Sequence, residues 1–362
     1  MKAYKLLTPG PLTTSEGVKQ AMLFDHCTWD DEYKSITMKI RERLLEIGQV
    51  SGEQYTAVLM QGSGTFGVEA VLTSSVGDGD KLLIVANGAY GIRMAQIADY
   101  AGLHYRLYEV KDSEIPSAEA VAKLLEQDKE ITHVSMVHCE TTSGILNDLE
   151  SIAKTVKKYG KTFLVDAMSS FGGIEIPMAE LGIDFLISSA NKCIQGVPGF
   201  SFILCRKEAL QKCRGKAKSL SLDLYGQWET MDRDGKWRFT SPTHVVLAFA
   251  KALEELREEG GVPARNRRYC ESNRYLRERM EKMGFRTYIS EHQSPIITSF
   301  LYPEDSHFSF SKMYLYIKER GYAIYPGKVT EADTFRIGNI GDIDKEDMER
   351  LCDIIGEFLE EV

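Results

Sequence analysis

Short apolar runs alternate along this chain with stretches whose apolar residues recur every three or four positions. The runs YTAVLM (55–60), KLLIVA (81–86), HYRLYEV (104–110), HVSMVH (133–138), TFLVD (162–166), DFLIS (184–188) and FSFILC (200–205) predict strands. Between them VEAVLTSS (68–75), GIRMAQIADYA (91–101), SAEAVAKLLEQ (117–127) and LESIAKTVKKY (149–159) predict helices. Strands that alternate with amphipathic helices imply an α/β architecture, a mostly parallel sheet with both faces covered. In such sheets chemistry gathers at the carboxyl ends of the strands. Residues 1–14, with LTPGPLT, read as an extended arm, and Ser15 is placed to cap a helix carrying Glu16 in its first turn. The stretch 215–241 reads as irregular. Long helices follow at 243–260 and 264–284, then short strands mixed with helices at 309–320 and 344–360. The expected division is an arm (1–14), a large domain (15–245) and a smaller α+β domain (246–362).

The chain has 362 residues, more than one hydrophobic core usually serves, which agrees with two domains. A net charge of -9 argues against non-specific binding to nucleic acid or to an anionic membrane. Seven scattered cysteines, an odd number with no CxxC, suggest neither a disulfide framework nor a zinc site, and a reducing cytoplasm fits best. The opening MKAYKLLTPGPL lacks the apolar stretch of a signal peptide, and no run has the length of a membrane span. The histidines show no metal-ligand spacing such as HExxH, so no metal is expected.

GSGTFG (62–67) matches G-x-G-x-x-G between a strand and a helix. A dinucleotide site would also need an acid at the end of the next strand, where Asn87-Gly88-Ala89 stands instead. GKT (160–162) resembles part of a Walker loop, but the glycine needed upstream is Thr155. The surviving reading of residues 62–67 is a phosphate cup: helix N-terminal amides beside the hydroxyls of Ser63 and Thr65.

Four strand-end features suit one cofactor, pyridoxal 5'-phosphate. It needs an amine for covalent attachment, a carboxylate on its ring nitrogen, a flat partner for the ring and an anion cup. Lys192 in SSANKCIQGVPG, Asp166 in TFLVDAMSS, Tyr90 in NGAYGIR and the 62–67 loop supply these in turn. A fifth strand end, HCETTSG (138–144), adds two threonines.

On these residues the chain resembles the class V aminotransferases of the type I pyridoxal-phosphate fold, nearly from end to end. The motifs HCETTSGILN (138–147), VDAMSSFGGI (165–174), SSANKCIQGVPGFSF (188–202), WRFTSPTH (237–244), EEGGVPAR (258–265) and FRIGNIGDI (335–343) carry the resemblance. They point to the branch that moves an amino group from 2-aminoethylphosphonate to pyruvate, with alanine–glyoxylate and serine–pyruvate enzymes as the alternative. The resemblance implies that Lys192 bears the cofactor and moves the proton, and that Asp166 binds the pyridinium nitrogen. Tyr90 and Met168 would flank the ring, while Ser63, Gly64 and Thr65 hold the phosphate. Asn191 and one of Thr141 and Thr142 would complete the shell. Trp237 and Thr240 would reach the phosphate of a neighbouring subunit, which implies a homodimer with shared active sites. Arg336, whose neighbours Phe335 and Ile337 suggest a buried strand, is the candidate anchor for both substrate anions, because one guanidinium fork suits phosphonate and carboxylate alike. Gly10 would lie near the substrate, and Arg93 is a second cation candidate. A cysteine desulfurase would need a nucleophilic cysteine that 284–343 lacks. Cys193 reads as a small buried filler, and Glu254 to Glu259 and Arg265 to Arg268 as solvated helix faces.

Overall fold

The computed structural model describes residues 4–304, 307–329 and 332–361; the first three residues of the expected arm lie outside them. A seven-stranded sheet forms the centre, in the order Tyr55–Gln61, Phe200–Arg206, Phe185–Ser189, Thr162–Asp166, His133–Val137, Leu82–Ala86, Tyr105–Glu109. Its strands run parallel except Phe200–Arg206, which pairs antiparallel with both neighbours. Successive residues of a strand face opposite sides, and both sides are apolar. Leu83 and Val85 pack into one core with Val121, Ile152, Val156 and Phe249. Leu82 and Ile84 pack into the other with Val68, Val71, Met94 and Ala98. Helices on both faces therefore hold the sheet rigid and leave its carboxyl edge open for chemistry.

A smaller antiparallel sheet in the C-terminal part orders Ile297–Leu301, Thr334–Gly338 and Tyr325–Pro326. The Lys345–Glu361 helix lays Leu351 and Ile355 on the core that contains Phe300, Phe335 and Ile337. The arm is more regular than its Pro and Gly content suggested. Lys5–Leu6 forms a parallel pair with Tyr322–Ala323, Leu7 is buried, and Leu7 accepts a hydrogen bond from the Gly338 amide at 3.0 Å. Ser15 caps the next helix as expected, accepting from the Val18 amide at 3.1 Å.

Two sequence expectations are corrected. The stretch 215–241 is not irregular throughout: Leu224–Asp234 is a helix, capped by Asp223 at the Gly226 amide and stopped by Gly235 in the left-handed region (φ 87°). It buries Leu224, Gln227 and Met231, a helical spacing hidden because one of the three is polar. The run Arg265 to Arg268 is solvated only in part, at Arg267. Arg265 is 1% exposed, pairs with Glu259 at 2.7 Å and donates to the carbonyl of Cys193 at 2.9 Å. Arg268 pairs with the same Glu259 at 2.8 Å, so that acid too is engaged rather than free on a surface.

Candidate active site

A cavity of about 200 Å³ opens at the carboxyl edge of the large sheet. It is lined by Ser63, Gly64, Thr65, Tyr90, Asp166, Met168, Asn191 and Lys192, eight residues that the sequence singled out from four separate strand ends. Val68, Arg93, Val137, Cys139, Ser169 and Ser189 complete the wall; apart from Val68 and Arg93 on helices, they lie at or within three residues of a strand's carboxyl end.

Ser63 precedes the Gly64–Ser75 helix in extended conformation, and its side chain does not cap the helix. Gly64 and Thr65, whose amides at the helix start have no intrahelical acceptor, line the cavity beside that hydroxyl. Gly64 packs closely on Met168, and a Cβ there would lie 2.3 Å from the methionine sulfur unless that side chain moved. Met168 is itself fixed by the turn after the Thr162–Asp166 strand, where its amide donates to Asp166 Oδ1 at 2.8 Å. Arg93, one turn into the Ala89–Ala101 helix, sends Nη1 to Thr65 Oγ1 at 3.2 Å and lies 4.9 Å from the centre of the Tyr90 ring. The cup thus has a cation in it, although Phe66 supplies none.

Asp166 ends its strand at 5% exposure, and burial pushes its carboxyl up to about 6, against the Met168 amide and the positive charges of Lys192 and Arg93. Burial likewise pushes the Lys192 ammonium down to about 8. Lys192 follows the Phe185–Ser189 strand, and its Nζ donates to the carbonyl of Pro9 at 2.7 Å. The lysine loop is held from behind by Arg265, through the carbonyls of Cys193 and Ile194. Cys193 is fully buried, the packing role expected of it. Gly10 touches the lysine: a Cβ there would meet Lys192 Cδ at 2.7 Å.

Thr141 and Thr142 are both buried but differ in partners. Thr142 Oγ1 donates to Glu140 Oε1 at 2.7 Å, whereas Thr141 Oγ1 has no partner among the described residues. Glu140 was missed by sequence reasoning. Its carboxyl is fully buried, raised above the ordinary range by that burial, and also takes the Tyr90 amide at 3.0 Å. Arg336 comes from the small sheet, 2% exposed, with Nε on the Pro326 carbonyl and Nη1 on the Thr141 carbonyl. Its strand is buried along its whole length, as Phe335 and Ile337 implied.

Trp237 and Thr240 stand apart from this cavity. Trp237 is 4% exposed, packs edge-on against Phe200 and donates its indole N–H to Thr37 Oγ1 at 3.3 Å. Its single donor is thus engaged inside its own chain. Thr240 is exposed.

An amine and a carboxylate lining one cavity with a helix start for an anion, and an unpartnered buried hydroxyl at Thr141, together fit pyridoxal phosphate. The model of the aminotransferase class-V family matches residues 28–338, and the chain belongs to that family. Within it, the 2-aminoethylphosphonate–pyruvate transaminase of Lysinibacillus sphaericus is 59% identical over 360 residues, covering 99% of this chain and 98% of that one. A bifunctional phosphonoacetaldehyde hydrolase/aminoethylphosphonate transaminase of Clostridioides difficile is 53% identical, covering 98% of this chain and 56% of its own length. Among solved structures, the ureidoglycine–glyoxylate aminotransferase of Bacillus subtilis shares the fold with a TM-score of 0.92 at 23% identity, over 100% of this chain and 94% of that one. No helix among the described residues is long and apolar enough to cross a membrane.

Proposed function

We propose that this chain is a pyridoxal-phosphate-dependent transaminase that converts 2-aminoethylphosphonate and pyruvate into phosphonoacetaldehyde and L-alanine. The observation that carries the reaction type is the meeting of Lys192 and Asp166 in one cavity with the start of the Gly64–Ser75 helix. The substrates rest on the relatives of 59% and 53% identity, one of which is fused to a hydrolase of the expected product.

Bound in the cavity, the cofactor supplies an aldehyde that accepts the amino group and a protonated ring that takes up the electron pair left on carbon. The protein does the rest. The amides of Gly64 and Thr65 with the Ser63 hydroxyl hold the phosphate, and Arg93 adds charge through Thr65. Asp166, ionised once it faces a ring N–H⁺, keeps that proton in place. Met168 and Tyr90 flank the ring, Asn191 borders it, and the free hydroxyl of Thr141 is the threonine that meets it. Lys192 Nζ removes the proton from the carbon bearing the donor amine and later delivers one to the carbonyl carbon of pyruvate. A lysine shifted to about 8 exchanges protons readily near neutral pH, which suits that task. Arg336 anchors the phosphonate of one substrate and the carboxylate of the other. Because the two substrates share one site, the kinetics are ping-pong.

A homodimer with shared sites belongs to the same reading. Phe66, Phe239, Leu220 and Trp29 are large apolar side chains left exposed, and Phe66 borders the phosphate cup. Thr240, exposed and next to Phe239, is the residue expected to reach across. Light scattering should give about twice 40.8 kDa. All seven cysteines are free thiols, in keeping with a cytoplasmic enzyme.

The test is direct. Purified protein with pyridoxal phosphate is given 2-aminoethylphosphonate and pyruvate, and alanine is measured, alongside parallel assays with serine–pyruvate and alanine–glyoxylate. Faster turnover of either alternative pair would overturn the substrate assignment. Absence of any transamination would overturn the reaction type.

A further inference from the structure

The N-terminal arm reaches the reacting amine by its backbone. It is anchored on the small sheet: Lys5 and Leu7 amides donate to Gly321 and Ala323 carbonyls at 2.8 Å each, and the Gly338 amide donates to Leu7. Beyond the tip, the Asp342 amide donates to the Thr13 carbonyl at 2.8 Å, and Thr8 closes the turn by donating its hydroxyl to Pro11. Between these anchors Pro9 points its carbonyl at Lys192 Nζ, 2.7 Å away. Gly10 is the only residue type that admits this approach, since it stands at φ 110° and a Cβ would lie 2.9 Å from the same nitrogen. The strand that holds Leu7 through Gly338 also carries Arg336 two residues earlier.

We propose that the Pro9 carbonyl is a positioning group for catalysis: it accepts a hydrogen bond from the ε-amine of Lys192 whenever that nitrogen is not joined to the cofactor, and so parks the freed base beside the substrate carbon. The inference rests on the reading of Lys192 as the cofactor lysine. A backbone carbonyl accepts more strongly from an ammonium than from a neutral amine, so the contact favours the protonated lysine. It opposes the effect of burial, which favours the neutral form. Because the arm and Arg336 hang on one strand, the park position is registered to the substrate's anion anchor.

The exposed Cys27 allows the test. Synthetic residues 1–26 are joined at Cys27 to residues 27–362, once with all amides and once with an ester at the Pro9–Gly10 link. The ester weakens the Pro9 carbonyl as an acceptor, and the Gly10 amide it removes has no acceptor among the described residues. Acylation of Lys192 in the cofactor-free full chain is followed against pH by peptide mass spectrometry. The expected result is a titration midpoint lower by about half a unit in the ester chain, with unchanged thermal unfolding. Turnover should fall several-fold as the base loses its position. Identical titration of the two chains overturns the proposal. If the ester chain does not fold, Thr8→Val, which frees the turn, must lower the midpoint in the same direction; no change there overturns it equally. Failure of the all-amide chain to develop cofactor absorbance would instead bring down the assignment of Lys192, and the proposal with it, so the two failures are told apart.

Discussion

Arg336 Nη1 donates to the Thr141 carbonyl at 3.1 Å, which fastens a guanidinium of the small sheet to the loop that follows the His133–Val137 strand of the large one. Its Nε is held by Pro326, so the fork is fixed in place before any substrate arrives. That preorganisation makes the predicted effect of substitution large. Arg336→Lys cannot bridge the Thr141 carbonyl, the Pro326 carbonyl and a substrate oxygen at once, and should raise KM for both substrates by about 10²-fold. Steady-state kinetics with each substrate varied would check this. A rise confined to one substrate would show that the two anions have different anchors.

The neighbouring threonines should separate binding from stability. Thr141→Val removes a hydroxyl without a protein partner, so the cofactor-free protein should unfold within about 0.5 kcal/mol of the parent while cofactor affinity falls about tenfold. Thr142→Val takes a donor from the buried Glu140 carboxyl and should cost about 1–3 kcal/mol of stability. Urea unfolding and cofactor titration of the two variants are the measurements.

Asp166 sets a pH dependence whose sign is fixed by its environment. Its folded-state value of about 6 lies above the ordinary 3.8, so the folded protein binds that proton more tightly than the unfolded chain does. The resulting stabilisation is full below the ordinary value and is lost as pH rises through about 6. Asp166→Asn does not titrate. Without cofactor it should therefore be more stable than the parent above about pH 6, by up to about 3 kcal/mol, and the gap should close near pH 4. With cofactor the order of merit reverses for function: the neutral Asn lacks the charge that keeps the ring nitrogen protonated, and turnover should drop at least about 10²-fold. Denaturant titrations of the cofactor-free proteins at several pH values, paired with assays, would test both halves.

Much of the site was legible because strand ends in an alternating α/β pattern are where side chains converge, and Lys192, Asp166, Tyr90 and the 62–67 loop all mark such ends. What stayed hidden were positions where polarity concealed burial. Arg41, in a helix spanning Asp31–Ile47, is buried at 5% exposure because the Ala57 carbonyl, Thr56 and Asp232 satisfy its guanidinium. A hydropathy pattern scores it as a surface residue. Glu140 and Arg265 escaped for the same reason: a charged side chain is read as exposed until its partners, distant in sequence, are known. Thr141 and Thr142 are told apart only by coordinates, since adjacent identical residues differ only in what they touch. Trp237 lies in a recognisable motif, and only the coordinates show that its indole N–H serves Thr37 of the same chain.

Arg265 offers the sharpest test of how far support of the lysine loop matters. The Gly261–Lys282 helix presents it to the back of that loop, where it binds Glu259 and the carbonyls of Cys193 and Ile194 together. Truncation leaves two carbonyls and a half-buried carboxylate short of a partner, although Arg268 still holds Glu259. Arg265→Met, which keeps the volume and removes the charge, should cost about 2–4 kcal/mol. The exposed Arg267 on the same helix is the control: Arg267→Met should change stability by less than about 0.5 kcal/mol. A purely structural role for Arg265 would lower unfolding stability alone. Because Cys193 adjoins Lys192, the loop that loses its back support also lets the amine wander, and kcat should fall about tenfold at temperatures where the variant is still fully folded. Turnover measured below the onset of unfolding, with Arg265→Lys included to ask whether one restored hydrogen bond recovers part of the rate, decides between the two.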